Sequence, residues 1–222
     1  QADGRVSMDE ILPLQRRNKN AGSGRLKRMR VGTKLTVREL VQRMITESDN
    51  TATNMLTDLF GLEYYNSYFL KLGLRYTNFS RTIMDLRKRD EGVENYTTPR
   101  DMAQLLEMIS RRKLTGSNEM IEILKGQKIA DRLARSIPKD WPIGHKTGLM
   151  RDSCHDVGIV FSPTNDYIIC ALTQDIRSFR RAKGFISEIS YITAGYYADP
   201  SVHPVPKKSF WSRVWKRGSS AG

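Results

Sequence analysis

Two polar triplets carry residue types that could do chemistry. Ser48-Asp49-Asn50 sets a hydroxyl, a carboxylate and a carboxamide side by side, and far downstream Lys146-Thr147-Gly148 sets an ammonium, a second hydroxyl and a bare backbone in a row. Each has an ordinary explanation alone. Asp49 or Asn50 as a helix N-cap accounts for the first, and a strand end accounts for the second. Together, in this order and on these elements, the pair is far more specific than either triplet. Side chains of these types could serve acyl transfer, which needs an activated nucleophile, a proton path to the leaving group and an oxyanion hole.

The elements that must position them are legible from spacing. Thr36 with Glu39 forms a capping-box pair, and Val37, Leu40, Val41, Met44 and Ile45 follow on one helical face. The same spacing restarts at Ala52, Met55, Leu56, Leu59 and Phe60, with Gly61 placed to end it. Ser48-Asp49-Asn50 is therefore the joint between two helices. "LEYYNSYFLKLG" predicts a third, stopped by Gly73, and residues 74–96 predict a long polar loop of the kind that often carries function. Thr98 caps a further helix with Pro99 at its first position and Met102, Leu105, Leu106 and Ile109 on its buried face. Shorter helices are expected over 117–125 and 128–136.

From Trp141 the period changes. "WPIGHKTG", "CHDVGIVF" and "YIICALTQ" predict three short strands in an antiparallel meander. A last helix over 179–198 is expected to bury Phe185, Ile186, Ile189, Ile192 and Tyr196. Helices, then sheet, then a covering helix define an α+β fold. Pairing through "SPTND" sets Cys170 opposite Val157 or Gly158, too far from Cys154 for a disulfide.

The composition, 39% hydrophobic and 27% charged, is that of a soluble domain, and no apolar run reaches the roughly 18 residues that span a bilayer. Lys and Arg outnumber Asp and Glu by 37 to 24, a net +13 that attracts anionic partners without specifying them. Arg16, Arg17, Lys19, Arg25, Lys27, Arg28, Arg30 and Lys34 share one stretch with no acid between them, read as a solvated basic loop. The tail beyond Pro200 places Phe210, Trp211, Val214 and Trp215 beside Lys207, Lys208, Arg213, Lys216 and Arg217, a pattern that suits an anionic membrane or cell-wall surface and equally a disordered tail or aromatics packed back onto the body. The expected division is a domain over 1–198 and a basic aromatic tail over 199–222. Charge is the sole feature favouring nucleic acid, so no specific nucleic-acid partner is expected. His145, His155, His203 and the two cysteines lack metal-ligand spacing, and neither metal nor cofactor is expected.

Beyond the triplets, "LTVRELVQRMITESDNTATNMLTDLFG", "ENYTTPRDMAQLLE", "PIGHKTG" and "HDVGIV" resemble framework segments of the class A β-lactamase-like family of penicillin-recognising serine hydrolases. The resemblance covers roughly residues 1–198. It implies that Ser48 relays a proton to the leaving nitrogen and that Asn50 binds the substrate's side-chain amide. It also implies that Lys146 supplies positive potential, that Thr147 binds the substrate carboxylate, and that the N–H of Leu149, just past Gly148, is an oxyanion donor on a substrate-pairing strand edge. His155 is expected either as a further cation near the carboxylate or as a hydrogen-bonded structural residue.

Two departures from the family pattern qualify the expectation. The family's nucleophile is the serine of S-x-x-K, and nothing before Ser48 matches it. Ser110 with Lys113 and Ser136 with Lys139 have the spacing but come too late, and Pro138 spoils a helix in the second. "QADGRVSMDE" resembles the segment that follows the nucleophile's helix, so that helix and two strands are expected upstream of Gln1. The second departure is in the long loop. Where class A enzymes carry the glutamate that activates the deacylating water, an ungapped reading of "NFSRTIMDLRKRDEG" puts Ile83; Asp85 is two residues on, with Glu91 and Glu94 further away.

The resemblance thus implies acyl transfer on β-lactams or on D-alanyl peptides of peptidoglycan, outside the cytoplasm, although no signal peptide is present in this chain. The alternative is a catalytically inactive module that binds cell wall or anionic surfaces.

Overall fold

The helical half begins where its capping signal stands. In the computed structural model, which describes residues 6–198, Thr36 Oγ1 accepts from the Glu39 N–H at 3.1 Å and Glu39 Oε2 accepts from the Thr36 N–H at 2.8 Å. Helix α1, Val37–Thr46, follows, then α2, Asn50–Phe60, and α3, Leu62–Lys71. Asp49 is the N-cap of α2, and Gly61, at φ 76°, both ends α2 and starts α3. Gly73, at φ 75°, turns the chain out of α3. Two short strands absent from the sequence expectation, β1 (Ile11–Pro13) and β2 (Lys34–Thr36), pair antiparallel beneath this half. Three residues are too few to show a period. Leu14, Leu26, Leu40 and Ala52 are fully buried here, so the basic stretch between the strands hangs on an apolar anchor.

The long loop contains one element of its own, α4 (Leu86–Asp90), with Asp85 accepting from the Lys88 N–H as N-cap. Helix α5 (Pro99–Ser110) starts at Thr98 as expected, and α6 (Ser117–Lys125) follows. The expected helix over 128–136 does not form beyond a single 3-10 turn, Leu133–Arg135. Its backbone donors are taken elsewhere: the Lys128 N–H goes to the Thr46 carbonyl at 3.1 Å and the Leu133 N–H to Asp156 Oδ2 at 3.1 Å.

Strands β3 (Ile143–Met150), β4 (Ser153–Val160) and β5 (Tyr167–Thr173) form the expected antiparallel meander, with Lys146 opposite Val157 and Val157 opposite Cys170. Both cysteines are free thiols. Lys146-Thr147-Gly148 lies inside β3, which runs two residues past Gly148, rather than at its end. One face of the sheet packs Val157, Ile159 and Ile168 against α5 and α6, and the other packs Val160, Ile169 and Ala171 against α7 (Phe179–Ala198). Within α7 the buried stripe is Ala182, Ile186, Ser187, Ser190 and Ala194. The expected anchor Tyr196 stands 45% exposed, because small residues let α7 lie close to the sheet and Tyr197 stacks on Tyr167 at 4.2 Å instead. The result is α+β, a helical half and an antiparallel sheet covered by the last helix. The basic aromatic tail lies outside the described residues.

Candidate active site

Three chain segments converge where the two triplets meet. Between α1 and α2 the backbone must reverse in three residues, and Ser48 takes the left-handed conformation, φ 51°, that makes this possible. A non-glycine residue there is strained by on the order of 1 kcal/mol or more, a cost that persists only when the surroundings hold it. They do. The Asp49 N–H donates to the Arg43 carbonyl at 3.2 Å, and the Asp49 carboxylate, fully buried, accepts from three backbone donors: Ala52 at 3.0 Å, Arg25 at 2.7 Å and Leu26 at 2.9 Å. Asp49 thus caps α2 and fastens the basic loop to the same turn.

Asn50 continues the fastening. Its Nδ2 donates to the Ala21 carbonyl at 2.8 Å and its N–H to the Ser23 carbonyl at 3.2 Å. Asn20 bridges further, taking Thr51 Oγ1 through its N–H at 3.1 Å and giving Nδ2 to the Ile83 carbonyl at 3.1 Å. The basic loop, the helix joint and the long loop therefore form one stitched layer.

Strand β3 faces that layer. Lys146 Nζ donates to Ser48 Oγ at 2.5 Å and to the Thr147 carbonyl at 2.6 Å, joining residues 98 positions apart. Burial pushes the Lys146 ammonium down to about 8, with Asp156 opposing the shift and Arg132 adding to it. The group is charged at neutral pH yet close to giving up its proton. A half-buried serine and a depressed lysine in contact can pass a proton between them.

The other expected residues fall on both sides of β3. Gly148 pairs with His155, and a side chain at Gly148 would press on the His155 ring at 3.1 Å. His155 shares the Lys146 face; its Nδ1 accepts from the Thr173 N–H at 3.1 Å, and burial lowers its pKa below the usual histidine value. It is therefore a neutral, hydrogen-bonded group at pH 7. Thr147, 6% exposed, points to the opposite face beside Asp156. Leu149 is 47% exposed on the free edge of β3, which pairs only with β4 among the described residues.

Two ionisable residues of this region escaped the sequence reading. Asp156, fully buried, accepts from His145 Nδ1 at 2.9 Å as well as from Leu133. A carboxylate inside the apolar run "CHDVGIVF" is the signal that marks it. Arg132, 2% exposed, holds its guanidinium against Cys154, Nε to Sγ 3.1 Å, and its charge bears on both Lys146 and His155. No local pattern announces a buried arginine. The two late S-x-x-K matches lie elsewhere: Ser110 lines a cavity of about 460 Å³ between α5 and β5, and Ser136 Oγ bonds Ser187 Oγ at 2.7 Å.

The sequence matches the Beta-lactamase enzyme family over residues 1–197, and the chain belongs to that family. A β-lactamase of Bacteroides uniformis is 30% identical over 156 residues, 64% of this chain and 53% of that protein. The chain spans about half the length of the curated relatives it matches. Its fold superposes on the β-lactamase of Sphaerobacter thermophilus with a TM-score of 0.82 at 28% identity, covering 91% of this chain and 78% of that one. A point mutant of PBP-A, solved as an acyl-enzyme complex with penicillin-G, gives 0.79 at 26% identity over 89% and 75%. The chain is class A β-lactamase-like in family and fold.

Proposed function

We propose that the protein to which this chain belongs is a serine hydrolase that acts by acyl transfer on β-lactams or on D-alanyl peptides of peptidoglycan, outside the cytoplasm. The observation that carries the reading is the Lys146–Ser48 hydrogen bond at 2.5 Å, made by a lysine whose pKa is depressed to about 8. On this reading Ser48 hands a proton to the leaving nitrogen and recovers it through Lys146. Asn50 binds the amide of the substrate's acyl side chain and Lys146 attracts its carboxylate, whereas Thr147, buried on the opposite face of β3 beside Asp156, does not face Lys146's side. The exposed β3 edge pairs with the substrate backbone, with the Leu149 N–H as an oxyanion donor and Gly148 allowing close approach. His155 holds the strand pair beside them. On this reading residues 1–198 are the part of the catalytic domain that follows its nucleophile segment, and 199–222 are its basic tail.

The test is the intact mass of the full-length protein with and without a labelled penicillin. One covalent adduct is expected, formed about 100-fold or more slowly in Ser48→Ala and Lys146→Ala. No adduct with any penicillin would sink the proposal. A binding module is the second reading, favoured by the exposed Arg16, Arg25, Arg28, Arg30 and Lys34, whose side chains have no ion pair among the described residues. It requires salt-sensitive retention on cell-wall material that survives Lys146→Ala.

A further inference from the structure

The basic loop between β1 and β2 turns lysine inward and shows arginine to solvent. From Arg16 to Lys34 every charged residue is a cation. Lys19 Nζ donates to the Met29 carbonyl at 2.5 Å and Lys27 Nζ to the Gly22 carbonyl, so both satisfy the loop's own backbone. Arg17 pairs with Asp58 across 3.5 Å. Arg16, Arg25, Arg28, Arg30 and Lys34 are exposed and make no ion pair among the described residues. The acids near by are already engaged. Asp58 also accepts from Asn18 Nδ2 at 2.7 Å, Glu39 closes the cap of α1, Asp9 pairs with Arg38, and Asp49 gives its carboxylate to backbone N–H groups. The charge of Arg25 reaches Glu47, but Lys128 binds that carboxylate at 2.6 Å. Like charges gathered in this way repel, a cost that an anionic partner offsets.

The loop is braced to keep them in place. Leu14 and Leu26 are fully buried, the Leu14 N–H donates to the Thr33 carbonyl and the Gly32 N–H to the Leu14 carbonyl, both at 2.8 Å, and Lys19 joins the two limbs. A surface held in advance loses little entropy on binding. Its tip is fastened to the site, where the Ala21 and Ser23 carbonyls accept from Asn50 and Asp49 accepts from the Arg25 N–H. The cations therefore run from the β1–β2 pair to the edge of the Ser48 turn.

Side-chain chemistry narrows the partner. A guanidinium fork binds two oxygens of one phosphate, and an ammonium does not. Residues 14–34 contain no aromatic ring on which a base could stack. Val31 is the one large apolar side chain exposed among them, whereas a surface that lies in a membrane buries a whole apolar face. We propose that the β1–β2 loop binds a linear polymer carrying a phosphate on each repeat, and that the adjoining site acts on peptides held beside such a polymer. The peptide part rests on the acyl-transfer reading above; the binding surface does not.

The test follows binding of labelled inorganic polyphosphate to the full-length protein by fluorescence anisotropy. Affinity should fall with salt along a log–log slope of about −3, as about four phosphate contacts require. Arg28→Gln/Arg30→Gln should weaken binding about 10-fold or more and flatten the slope by about 1, while benzylpenicillin acylates the variant at nearly the native rate. The same charge removed from the exposed start of α7, by Arg180→Gln/Arg181→Gln, or from the tail, by Lys216→Gln/Arg217→Gln, should change affinity no more than about 2-fold. Equal or greater weakening by either control pair would mean that net charge alone is read. Tighter binding to anionic vesicles, or to a single-stranded oligonucleotide matched in phosphate number, would name a different partner. Each of these results overturns the proposal, as does absence of polyphosphate binding at low salt. A protein that binds polyphosphate as expected but is acylated by no penicillin sinks the acyl-transfer reading and the peptide part with it, and supports the surface.

Discussion

Gly24 and Asp49 occupy one space: a side-chain carbon on Gly24 would come within 2.1 Å of Asp49 Cγ and 2.5 Å of its Cα. No rotamer of Asp49 relieves the second contact, and Gly24 itself sits at φ +96°, where other residues are strained. Gly24→Ala should therefore cost about 3 kcal/mol of unfolding free energy, measured by denaturant titration. Asp49→Ala should cost a similar amount, about 3 kcal/mol, because the buried Leu26 and Ala52 N–H groups and the part-buried Arg25 N–H lose their acceptor. Both should slow penicillin acylation, since the Ser48 turn is built on that carboxylate. A stable Gly24→Ala with native acylation would refute the coupling.

Lys146 should be destabilising where it is most useful. Its pKa falls from 10.5 unfolded to about 8 folded, so between those values the unfolded chain binds the extra proton and stability rises with pH. Below pH 8 the full burden of the buried charge applies, on the order of 3 kcal/mol at most. Lys146→Met should thus raise the melting temperature at pH 7 while abolishing acylation, and the native protein should close the gap as pH climbs from 8 to 10.5. Thermal scans across that range decide it; a pH-independent gap would remove the lysine as cause.

An ungapped reading of the family resemblance puts Ile83 where a water-activating carboxylate is expected, and the Ile83 carbonyl is held by Asn20 Nδ2 at 3.1 Å. Acyl adducts of the native protein should accordingly persist. Ile83→Glu should shorten their half-life about 10-fold or more with little effect on their formation, followed by mass spectrometry after excess penicillin is removed. Rapid turnover by the native protein would mean that another group activates water.

What the sequence made legible depended on range. Thr36 with Glu39, Asp49, Gly61 and Thr98 act on neighbours within one helical turn, and their signals appear in the structure as capping bonds. The five-residue turn narrowed the partner of Cys170 to Val157 or Gly158, and the structure has Val157. Residues 128–136 misled because the apolar spacing is helical but the Lys128 and Leu133 donors are claimed by Thr46 and Asp156, partners more than 20 positions away. The same holds at the site. Ser48, Asn50 and Lys146 could be picked out as motifs and Asp156 is marked by its place in an apolar run, whereas the buried Arg132 is visible only once distant segments meet.

The Ser48–Lys146 bond spans 98 positions of chain, and that separation has a kinetic meaning. Contacts of such long range form late, after the loop-closure entropy has been met by nearer contacts. Helices α1 and α2 can be fully formed while β3 is still undocked, and a molecule at that stage has both triplets and no chemistry. Acylation competence is therefore a clock for the last step of folding: its appearance in a refolding time course should trail the helical signal and coincide with burial of Trp141 against the sheet.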